Sequence, residues 1–97
     1  MVLADACFNI THSSFKENFE DILNESKKLG VNYFFCPAAE KKDIDEVIKF
    51  SSTYKEISCG IGIHPHHANE VDSDLIKKLE TLIIHQDISA IGEIGLD

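Results

Sequence analysis

Short, nearly continuous apolar runs alternate with stripes of apolar residues at helical spacing, and this alternation predicts the elements of the fold. Val2 to Phe8 is an apolar run that ends in the polar turn Asn9-Ile10-Thr11-His12, and it predicts a first strand. Phe15, Phe19, Ile22, Leu23 and Leu29 then recur at helical spacing. Ser14 and Glu17 have the spacing of a capping box, and Gly30 stands where a left-handed residue would end that helix. Val31 to Cys36 is β-branched and aromatic, closes on Pro37, and predicts strand two. From about Glu40 to Tyr54, Ile44, Val47, Ile48 and Ser51 form one face opposite Lys and Asp, as in an amphipathic surface helix. Ile57 to Ile63 predicts strand three. Asp72-Ser73-Asp74 offers the start of a third helix running to about His85, with Leu75, Ile76, Leu79, Leu82 and Ile83 as its buried stripe. Ser89 to Ile94 predicts strand four.

The pattern is that of one α/β domain over residues 1–97, a (βα)₃β unit whose apolar strands suit a parallel sheet covered by helices. Such a unit forms either an open sheet or half of an eight-stranded barrel, and a whole barrel needs about 250 residues. The length of 97 residues favours the open sheet.

Composition narrows the class. An apolar fraction of 43% and a charged fraction of 27% are those of an ordinary soluble domain, so disorder is not expected. No apolar run reaches the roughly 20 residues of a membrane-spanning helix, and Met1 to Asp5 lacks the basic start of a secretory signal. A cytoplasmic location is therefore expected. Cys7, Cys36 and Cys59 include no C-x-x-C pair and read as reduced, mostly structural thiols. For Cys7 the expectation is a buried, inert thiol, with soft-metal ligation as the alternative. A net charge of −8 opposes a broad basic groove for nucleic acid. It is compatible with a nuclease that engages the scissile phosphate through divalent cations.

In either architecture ligands gather at the C-terminal ends of the strands. Cys7, Asn9 and His12 follow strand one, His64, His66 and His67 follow strand three, and Glu93 ends strand four. Pro65 fixes its own φ and restricts His64 to extended backbone, so His64 and His66 share a stiff loop. Imidazoles there can bind a metal, donate to a phosphate oxygen or transfer a proton, whereas the plain alternative is a histidine-rich surface loop. His67 and His85 are expected to be ordinary solvated side chains. Glu93 lies between apolar neighbours, where a carboxylate is costly unless paired or bound to a cation. The alternative is a strand-end glutamate in solvent, and Gly92 and Gly95 beside it tilt the balance toward a site.

Three segments carry a family resemblance: Asp5-Ala6-Cys7-Phe8-Asn9-Ile10-Thr11, Gly62-Ile63-His64-Pro65-His66, and Gly92-Glu93-Ile94-Gly95-Leu96-Asp97. In order and separation they resemble the N-terminal signatures of the TatD family of metal-dependent deoxyribonucleases, and the resemblance covers the whole chain. It implies the first half of a TIM-type barrel. It also implies a hydrolase with two divalent cations, Mg²⁺, Mn²⁺ or Zn²⁺, at the C-terminal face, cleaving phosphodiester bonds with exonuclease action on DNA in the 3′ to 5′ direction. By that likeness Glu93 is a metal ligand shared between the cations, and His64 is a phosphate-side or proton-transfer residue supported by His66. Many members begin with an H-x-H pair of further ligands, and here Cys7 and Asn9 stand at those positions. Asn9-Ile10-Thr11 is similar to a branch that carries N-L-T there.

The family's remaining ligands, two His and an Asp, come from later strands. The expectation is therefore the N-terminal part of a nuclease, with weak or no metal binding and little or no activity by itself. Two other functions stand beside it. One is a non-catalytic α/β domain that self-associates through an exposed sheet edge. The other is a metal-dependent hydrolase of a small substrate.

Overall fold

The computed structural model describes residues 1–97. Strands β1 (Leu3–Asp5), β2 (Val31–Pro37), β3 (Ile57–Ile61) and β4 (Ala90–Ile91) form one sheet in the order β1-β2-β3-β4, and every pair is parallel. Helices α1 (Phe19–Lys28), α2 (Ile44–Thr53) and α3 (Ser73–His85) make the crossovers. The strand order decides between the two architectures left open above. Right-handed crossovers between steadily advancing neighbours put every helix on one side of the sheet, as in a barrel, whereas a doubly wound open sheet must reverse its order. This is half of a barrel wall.

Thirteen apolar residues form the buried core, and no polar or charged residue is buried. Leu23 of α1, Ile44 and Val47 of α2 and Leu75 of α3 share that core with Phe34 and Cys36 of β2 and Ile57, Cys59 and Ile61 of β3. Aromatic rings close one end. Phe8 lies 5.0 Å from Phe15 and 5.4 Å from Phe34, while Phe19 lies 4.9 Å from Phe50 and 5.3 Å from Tyr54. The Tyr54 hydroxyl donates to Glu20 at 3.0 Å, and that carboxylate pushes the phenol pKa up. Lys27 pairs with Glu56, tying the end of α1 to the approach to β3, and its hydrogen bond holds the Glu56 carboxyl below the ordinary range.

Several predicted boundaries move, each for a local reason. The first strand is only three residues long and wholly exposed at the sheet edge. Its register shifts between Leu3 and Ala4, the Asp5 carboxylate accepts from the Cys7 N–H at 3.0 Å, and pairing resumes where the Phe8 N–H donates to the Phe35 carbonyl at 2.8 Å. The predicted capping box does not form. His12 Nδ1 accepts the Ser14 N–H at 3.2 Å and diverts Ser13–Phe15 into a single 3-10 turn, so α1 begins only at Phe19, after Asn18, which makes no side-chain cap. Leu29 is 80% exposed and does not belong to the buried stripe. Lys41–Asp43 is likewise a 3-10 turn ahead of α2. On α3, Ile76 and Ile83 are exposed, and Leu79 and Leu82 pack against the core.

Other signals hold. Gly30 ends α1 with φ 97°, a left-handed conformation that glycine adopts without a Cβ penalty. Asp72 caps α3 by accepting the Leu75 N–H at 2.7 Å. Cys36 and Cys59 are register partners in β2 and β3, and both are fully buried free thiols. Burial, and then the neighbouring Cys59, Asp5 and Cys7, push the Cys36 pKa up to about 12, and burial also raises Cys59. Cys7 departs from expectation: it is exposed, because the bend at Asp5 takes it out of the ladder. No helix is long and apolar enough to cross a membrane.

Candidate functional site

The loop after β3 is built around His64. Its N–H donates to the Ala39 carbonyl at 2.8 Å, which stitches this loop to the one after β2. Pro65 then opens a 3-10 turn, Pro65–Glu70, and His64 caps it: Nδ1 accepts the His66 N–H at 3.0 Å, and the His64 carbonyl accepts the His67 N–H at 2.8 Å. With Nδ1 engaged as an acceptor, a neutral His64 carries its proton on Nε2, which becomes a donor suited to an oxyanion. The His66 ring stands edge-on at 4.5 Å, and its Nε2 lies 2.9 Å from Asp97 Oδ1. The two histidines singled out from the sequence thus meet.

Glu93 reaches the same rim from the next strand. The Gly92 N–H donates to the Ile61 carbonyl at 2.9 Å, and the Glu93 N–H donates to the Ala38 carbonyl at 3.3 Å. The chain after β4 therefore leans across the end of β3 as far as the end of β2. The Glu93 side chain is half-buried and takes no part in the side-chain hydrogen bonds or ion pairs of the fold. Gly62 makes the crossing possible. A Cβ there would lie 2.5 Å from the Glu93 carbonyl oxygen and 2.9 Å from the Gly92 carbonyl carbon.

The residues after β1 line a different feature. Asn9, Thr11, His12 and Lys16 face Glu40 and Lys42 across a polar cleft of about 370 Å³, between the loops that follow β1 and β2. Cys7 does not line this cleft.

His67 is not the free side chain that the sequence suggested. Its Nε2 lies 3.3 Å from Glu40 Oε1 and its Nδ1 lies 3.5 Å from Glu70 Oε1. Glu40, His67 and Glu70 are the one trio of His, Cys, Asp and Glu side chains whose ligand atoms converge within 4.8 Å. Their i, i+3 spacing in one loop is visible in the sequence, but the contribution of Glu40 from another loop is not. Glu93, Cys7, His64 and His66 belong to no such trio. A hard divalent cation needs several oxygen or nitrogen ligands in fixed geometry, so Glu93 with Cys7 and Asn9 does not make a complete metal site within these 97 residues.

Comparison with known proteins agrees with the fold. Residues 4–97 match the family described as TatD related DNase. The chain is 28% identical over 94 residues to the 3′-5′ ssDNA/RNA exonuclease TatD of Pantoea ananatis, covering 96% of this chain and 36% of the relative. It is 28% identical over 88 residues to an uncharacterized metal-dependent hydrolase of Buchnera aphidicola, covering 91% of this chain and 33% of that protein. The crystal structure of YJJV, a TatD homologue from Escherichia coli K12, superposes with a TM-score of 0.82 at 27% identity, covering 98% of this chain and 38% of that one. The chain spans about a third of the length of the curated relatives it matches. A family match over residues 4–97, carried on the same half-barrel path, makes this chain a member of the TatD related DNase family.

Proposed function

We propose that this chain forms the N-terminal part of a metal-dependent nuclease that shortens DNA from its 3′ end, and that Glu93, His64 and His66 are its contribution to the site. The observation that carries the reading is the convergence of the two motifs: the segments bearing His64 and Glu93 both hydrogen-bond to the end of β2, through Ala39 and Ala38. Glu93 is the metal ligand in this reading, because its carboxylate stands half-buried at the strand mouth without a protein partner. His64 Nε2 is the donor for a phosphate oxygen, and His66 holds the Nδ1 side of that ring through its backbone N–H. Cys7 and Asn9, at the positions of the family's H-x-H pair, complete no donor set here, so these residues alone are expected to give little or no hydrolysis.

The test uses single-stranded DNA labelled at its 5′ end, with Mg²⁺ or Mn²⁺. This chain is expected to leave the DNA intact, and a longer version continuing through a complete barrel is expected to shorten it. Glu93→Ala in that longer version is expected to slow shortening at least tenfold, a loss of about 1.4 kcal/mol of transition-state stabilisation. An unchanged rate would remove Glu93 from the site.

A second reading is favoured by the sheet edges. Leu3 of β1 is 42% exposed and Ile91 of β4 is 63% exposed, and unpaired apolar edges promote association. Self-association through these edges predicts a concentration-dependent dimer in sedimentation velocity; a monomer at every concentration would reject it.

A further inference from the structure

We propose that Glu40, His67 and Glu70 form a surface site for a first-row divalent transition metal, Zn²⁺ or Mn²⁺, built from the loops after β2 and β3 and not including Glu93. Three ligand atoms from these side chains lie within 4.8 Å of one another. Both nitrogens of His67 face carboxylate oxygens, Glu40 at 3.3 Å and Glu70 at 3.5 Å. A neutral imidazole has one N–H and can serve only one of two carboxylates, so the acceptors outnumber the donors around the ring. Lys42 supplies some compensation, but it approaches the other Glu40 oxygen, Oε2, at 3.4 Å. One ring nitrogen and one oxygen from each carboxylate thus lie close enough together to be drawn onto a single cation.

The donor set states which cation. One imidazole nitrogen with two carboxylate oxygens combines ligand types that zinc and manganese accept, whereas Mg²⁺ and Ca²⁺ prefer oxygen alone. Water ligands have room to complete the shell, because Glu40 and Glu70 open onto a shallow cleft of about 460 Å³ shared with Lys41, Lys42 and Lys78. The loops are also held relative to each other. The His67 N–H bonds the His64 carbonyl, and the His64 N–H bonds the Ala39 carbonyl, next to Glu40. The site requires nothing beyond these 97 residues and does not depend on the nuclease reading.

The experiment titrates this chain, without a histidine tag, with Zn²⁺ and Mn²⁺ by calorimetry, and with Co²⁺ by its visible absorption bands. One cation per chain is expected. His67→Gln and Glu70→Gln are each expected to weaken binding at least tenfold, while Glu46→Gln and His85→Gln, at exposed positions outside the trio, leave it within twofold. Far-UV circular dichroism confirms that each variant is folded. The proposal is overturned if no binding is seen at millimolar metal, if folded His67→Gln binds as the parent does, or if Glu46→Gln or His85→Gln weakens binding as much as His67→Gln.

Discussion

Gly62→Ala is expected to lower the stability of the domain by about 2–3 kcal/mol, the upper part of the range for overpacking. The added methyl would lie 2.5 Å from the Glu93 carbonyl oxygen, 2.9 Å from the Gly92 carbonyl carbon and 3.1 Å from the Gly92 Cα. All three atoms are backbone, so no flexible side chain can turn aside. Relief requires the chain after β4 to lift off β3, which strains the Gly92 bond to Ile61 and the Glu93 bond to Ala38. The variant therefore couples stability to the site. Urea denaturation should show the loss, and in a longer, active version the same substitution should reduce nuclease activity with the metal-binding residues intact. A midpoint within error of the parent would show that the two motifs do not press on each other through Gly62.

Ile44→Ala is expected to cost about 3–4 kcal/mol, within the range for truncating a fully buried aliphatic side chain. Ile44 is the first residue of α2 and is fully buried among the side chains of the single core. A domain of this size has a total stability of about 5–15 kcal/mol, so the substitution removes a large part of it. The melting temperature should fall by more than 10 °C, at roughly 4–8 °C per kcal/mol. Ile84→Ala is the matched control, because Ile84 is 75% exposed on α3 and its loss should stay within about 0.5 kcal/mol. Equal melting temperatures for the two variants would contradict the placement of the core.

The sequence disclosed the elements of this fold more fully than their ends. Hydrophobic periodicity locates all four strands and three helices because burial has to repeat at the period of each element. The start of α1 differs from the expected one because Ser14 and Glu17 satisfy a spacing rule that His12, two residues before Ser14, overrides by taking the Ser14 N–H for itself. Length by itself favoured an open sheet and the family resemblance half a barrel; the pairing order and the likeness to a solved TatD homologue decide for the half barrel, since no local pattern states which strand a strand will meet.

Within the candidate site, His64 and His66 were legible because Pro65 makes their arrangement local. The Glu40 contact with His67 was not, because it joins two loops far apart in sequence. The part played by Gly62 also has a signature in the sequence. Gly60 and Gly62 alternate with Ile61 on β3 and its extension, and two glycines at strand period mark a face where another group comes close: the Phe35 ring at Gly60 and the Gly92-Glu93 backbone at Gly62.

The order β1-β2-β3-β4 also bears on how the chain assembles. Each strand pairs with the one made just before it, so none of these three ladders waits for a partner that has yet to be synthesised. The closing loops are all of one crossover, which keeps their entropy cost modest. Synthesis from the N-terminus can therefore lay down β2 on β1, then β3, then β4, with every intermediate a smaller copy of the final wall and only its newest edge unpaired on the growing side.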